Sequence, residues 1–74
     1  MSAEVVEDHE VEDLAFDLLA SVVADLDRAT RSDVTSLLSY GEPGSALDAL
    51  LYAIDEGHLA APAALVTEAR RATA

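Results

Sequence analysis

Between Gly41 and Gly57 the strongly apolar residues recur at one spacing: Leu47, Leu50, Leu51 and Ile54. Steps of three and four place all four on one side of a helix, whereas a strand, with its period of two, would scatter them over both faces. Pro43 suits the first turn of that helix, because its missing amide hydrogen would have had no partner there. Ser45 with Asp48 offers a second possible cap two residues later. Gly57 is the natural stop, with Leu59 able to fold back over the helix end. The opposite arc carries Asp48, Tyr52, Asp55 and Glu56.

The same period extends through the rest of the chain. Over residues 11–26, Val11, Leu14, Ala15, Leu18, Leu19, Val22 and Leu26 share one side, and Glu10, Asp13, Asp17, Ser21 and Arg28 lie opposite. Phe16 and Val23 widen this apolar arc, so the first helix is expected to touch several neighbours and to be the central element. Glu10, Glu12 and Asp13 suit the positive end of its dipole, and Arg28 the negative end. Thr30 and Asp33 read as a capping-box variant that starts a second helix, with Val34, Leu37 and Leu38 buried, Ser36 and Ser39 outside, and Gly41 as the left-handed residue that ends it. Ala61 and Pro62 open a weakly apolar fourth helix in which Leu65, Val66, Ala69 and Ala72 share a side and Arg70 and Arg71 sit near the negative end. Residues 1–8 are acidic, without apolar rhythm beyond Val5 and Val6, and are expected to be disordered. The expected architecture is therefore an all-α, small four-helix bundle over residues 9–74.

Size narrows the functional classes. A chain of 74 residues buries roughly 60% of its unfolded surface, too little to surround a deep enzyme cleft. It has no cysteine, so disulfides and thiolate zinc sites are excluded. Its start, MSAEVVEDHEVED, lacks a secretory signal, and no apolar run approaches the roughly 20 residues of a membrane span. A cytoplasmic location is the expectation. Fifteen Asp and Glu against four Arg give a formal charge of -11, which repels nucleic-acid backbones and anionic lipid while drawing in a basic partner. Solubility alone is the simpler use of such charge.

Residue chemistry adds no catalytic, cofactor or metal site. Asp8, His9 and Glu10 point to different sides of any helix and cannot converge on a metal. His58 follows a helix stop, where an imidazole meets free carbonyls. Ser, His and Asp occur without a strained elbow to assemble them into a hydrolytic triad. GEPG places an acid where a phosphate would sit, and no Lys follows. Acyl and peptidyl carriers are acidic four-helix domains of similar length, and Ser45 followed by ALDALLYAIDE resembles their recognition helix. Their arm-bearing serine lies in an Asp-Ser-Leu triplet, whereas Gly44 and Ala46 flank Ser45.

That leaves the polar arc of the third helix. Asp48, Tyr52 and Asp55, at i, i+4 and i+7, share one side, with Glu56 flanking and Glu42 and Tyr40 nearby. Tyrosine is a favoured interface anchor, and surrounding carboxylates would meet Arg and Lys of a target. A plain solvated face is the alternative, as is a weak homodimer using spare apolar surface on the first helix.

The stretch YGEPGSALDALLYAIDEGHLAAPAALV resembles the MafI family of small bacterial immunity proteins. The resemblance rests on Gly41, Glu42, Pro43, Ala46, Leu47, Leu50, Leu51 and Asp55 and covers the second half of the chain. The first forty residues match only in being helical. The resemblance implies a non-enzymatic inhibitor that neutralises a cognate toxin domain, often a nuclease, with Tyr52, Asp55, Asp48, Glu56, Glu42 and Tyr40 as the expected contact residues.

Overall fold

A computed structural model describes the backbone of residues 8–74 and the side chains from Glu10 onward. Four α-helices follow one another: α1 (Asp8–Val22), α2 (Arg28–Ser39), α3 (Pro43–Gly57) and α4 (Ala63–Thr73), with a 3-10 turn at Val23–Asp25. Among the described residues there is no strand, and no helix is long and apolar enough to cross a membrane. The expected disordered tail lies outside the described residues apart from Asp8, where α1 begins. The His9 side chain also lies outside them.

The expected apolar faces form one core. Leu18, Val22, Val34, Leu47 and Leu50 are its largest fully buried side chains, and Leu65, Val66 and Ala72 of α4 pack partly buried against it. Among the described residues no polar or charged side chain is buried, so stabilisation comes from apolar burial at about 1.5–3 kcal/mol per large side chain.

The centre of the bundle is α3 rather than the expected first helix. It packs against α1, α2 and α4, whereas α1 packs chiefly on α3 and α4. The reason lies in the breadth of each buried face. Five α3 residues are buried, from Ala46 to Ile54, while Phe16, expected to widen the α1 face, is 50% exposed. Two residues before the fully buried Leu18, Phe16 points about 200° away around the axis.

The junction of α1 and α2 also departs from expectation. Residues 23–25 tighten to 3-10 geometry, Leu26 becomes extended while staying buried, and Asp27 caps α2. Its Oδ1 accepts from the Thr30 amide at 2.8 Å, so Thr30 is the receiver of a cap and lies within the helix. Aspartate is the stronger capping residue, since its short carboxylate competes with helical hydrogen bonding in an interior position. Arg28 consequently opens α2 and does not close α1.

Gly41 ends α2 as expected, at φ +75°. The Glu42 amide donates to the Leu37 carbonyl at 2.9 Å and the Gly41 amide to Leu38 at 3.2 Å, the paired bonds of a Schellman cap. Pro43 then starts α3, leaving Ser45 inside its first turn and exposed. At the far end α3 stops at Gly57 as expected, and the left-handed residue that follows it is His58, at φ 51°. Leu59 does fold back, its amide donating to the Ile54 carbonyl at 3.1 Å. A Cβ on Gly57 would lie 3.2 Å from the Leu59 side chain, so this glycine makes room for that return.

Candidate functional site

The short turn at 40–42 makes α2 and α3 a helical hairpin, and the end of the hairpin away from the turn is grooved. The groove has a volume of about 770 Å³. Half-buried Ala49 and Ala53 of α3, with Leu26 and Leu59, form its apolar floor. Its rim is exposed and acidic: Asp25, Asp27 and Asp33 on one side, Asp48 and Glu56 on the other, with Tyr52 between the last two. Among the described residues no basic side chain lines it.

Local chemistry positions each wall. The cap that starts α2 also holds the Asp27 side chain at the groove, and hydrogen bonding from Thr30, through its hydroxyl and its amide, lowers the Asp27 pKa below the usual carboxylate value. On α3, residues 48, 52 and 56 are spaced one turn apart and rise along a single line of the helix surface. Tyr52 is 69% exposed. The ring is thus presented to solvent and not tucked beneath a loop.

All six expected contact residues are exposed, but the structure does not gather all of them. Asp48, Tyr52 and Glu56 share the groove. Asp55 turns toward α4, where its carboxylate accepts a 2.7 Å hydrogen bond from the Arg70 guanidinium. Glu42 borders a second depression with Glu12, Pro43, Gly44 and Ser45. Tyr40, 79% exposed, caps the end of α2. Sequence periodicity missed Asp25, Asp27 and Asp33, which come from a different part of the chain. The visible signal was Asp27 three residues before Thr30, a possible cap that fixes where α2 begins.

The rim carboxylates surround the floor without converging. Among the described residues no group of three or more His, Asp or Glu is placed to hold a metal ion. What the arrangement offers is a diffuse negative field over an apolar trough, which suits an extended cationic surface better than a point charge. No protein family, curated protein or solved structure matches the chain.

Proposed function

We propose that this chain is a non-enzymatic, cytoplasmic immunity protein that binds a basic bacterial toxin domain, a nuclease being the fitting kind, and neutralises it by occluding its surface. The observation that carries the reading is the exposed Tyr52 set among groove carboxylates. A ring that leaves water on binding supplies affinity, and the carboxylates supply attraction at a distance. A nuclease must present cations to a phosphate backbone, so an acidic surface competes for that same face. The likeness of residues 41–55 to the MafI family supports the same reading.

The test is capture of the toxin domain encoded beside this chain, followed by binding kinetics at rising salt. The association rate is expected to fall as salt screens the rim. Tyr52→Ala is expected to weaken the complex by roughly 30-fold or more, the effect of an interface anchor. A complex indifferent to Tyr52→Ala combined with Glu56→Gln removes this face from the proposal. Failure to capture the toxin removes the function.

One observation favours a second reading, a carrier-like domain with a phosphopantetheine arm on Ser45: that serine is exposed in the first turn of α3. Intact mass after incubation with a promiscuous transferase decides it. A mass gain supports the carrier, and an unchanged mass eliminates it.

A further inference from the structure

We infer that the groove between α2 and α3 is built to receive one cationic amphipathic helix of the partner, its apolar ridge on Ala49 and Ala53 and its arginines on both rims. This rests on the proposed function and specifies which element of the toxin domain is engaged.

Shape comes first. Two adjacent helices leave a furrow along their line of contact, and a third helix fits it when side chains in the furrow are small, because interaxial distances of about 8–10 Å then become reachable. Ala49 and Ala53 are one turn apart and half-buried in that furrow. Larger residues there would fill the trough and leave only a flat acidic surface. Helix-in-groove docking uses apolar anchors at successive turns, matching the alanine spacing.

Charge selects the occupant. Acids stand on both walls, Asp27 and Asp33 facing Asp48 and Glu56 across the floor, so a bound helix needs cations on both flanks of its ridge. Asp48 and Glu56 are eight residues apart, about 12 Å along α3, which sets the useful length at two to three turns. Tyr52 lies between them and favours arginine over lysine, since a guanidinium can stack on the ring while its hydrogen-bond donors reach a carboxylate. A second copy of this chain is a poor occupant. It would bring another net charge of -11 against an acidic rim.

The probe is a synthetic helix of about three turns, with leucines aligned on one side and arginines flanking them, added to the full chain in an amide-resolved NMR titration. The control is a peptide of identical composition, scrambled so that the leucines do not align. The aligned peptide is expected to saturate, to shift the Ala49, Tyr52 and Ala53 amides, and to bind at least about tenfold more tightly than the scrambled one. Replacing its arginines by lysine is expected to weaken it. Ala53→Leu, which fills the trough and keeps every charge, is expected to reduce affinity about tenfold or more. Because Ala53 also touches the core, the exposed pair Asp48→Asn and Glu56→Gln is measured alongside, and it too is expected to weaken binding. Equal affinity for aligned and scrambled peptides overturns the inference, as do shifts centred on Phe16 or Glu42. A toxin held at Tyr52 while the aligned peptide fails to bind retains the function and removes the helix. Peptide binding without toxin capture does the reverse.

Discussion

Gly41 and Gly44 lie three residues apart, and replacing each by alanine is expected to move stability in opposite directions. At Gly41 an added Cβ meets nothing within 4 Å, so no tertiary clash enters and the effect comes from the backbone alone. With φ at +75°, an L side chain costs about 1–2 kcal/mol. Alanine also restricts the unfolded chain, which returns about 0.4–1 kcal/mol. The net loss is about 1 kcal/mol, and escape to a relaxed φ would break the Glu42-to-Leu37 and Gly41-to-Leu38 hydrogen bonds. Gly44 is equally unobstructed but lies in the first turn of α3. There alanine gains about 0.5–1 kcal/mol through helix propensity. For a domain of this size 1 kcal/mol corresponds to roughly 4–8 °C. Thermal unfolding followed by far-ultraviolet circular dichroism should therefore show Gly41→Ala lower in Tm by about 4–8 °C, and Gly44→Ala higher by roughly 2–8 °C. A Gly41→Ala protein as stable as the parent, or shifted in the same direction as Gly44→Ala, would refute the left-handed cap.

Leu50→Ala, at a fully buried α3 position, is expected to cost about 2–5 kcal/mol in urea unfolding, a large part of the roughly 4–10 kcal/mol available to a chain of this length; Phe16→Ala should change stability by no more than about 0.5 kcal/mol. In a double-mutant cycle, Asp55→Asn and Arg70→Gln should show a coupling of only about 0.2–1 kcal/mol that fades with salt, because both side chains are about half exposed (55% and 51%); a larger, salt-insensitive coupling would contradict that exposure. The lowered Asp27 pKa means its ionised cap favours the folded state above its ordinary value of 3.8. That contribution disappears as pH falls through the lower folded value, so the Tm gap between the parent and Asp27→Ala should be full at neutral pH and shrink below pH 3.8. His58→Gly relieves a left-handed residue at φ 51° and should raise the free energy of urea unfolding by about 0.5–1 kcal/mol.

The sites that resisted sequence reading share a cause. Thr30 read as the cap of α2, but Asp27 takes that place directly after Leu26, whose burial in the core is a tertiary constraint that local spacing does not carry. Asp55 shares a helix face with Tyr52 by periodicity, yet it turns to Arg70, fifteen residues later. Three of the groove's five rim acids were hidden in the same way: Asp25, Asp27 and Asp33 read as scattered surface charge until α2 is laid along α3.

Periodicity is local, and it determined what local geometry can determine: four helices, the inward leucines, the outward Asp48, Tyr52 and Glu56, and the glycine-proline break between α2 and α3. Each of these follows from angles around a single helix axis. The tertiary structure alone decided that α3 is the hub, that the left-handed residue after it is His58, and that two helices face each other to make one acidic groove. Those outcomes depend on which apolar faces meet, and the spacing within one helix carries no record of its neighbour.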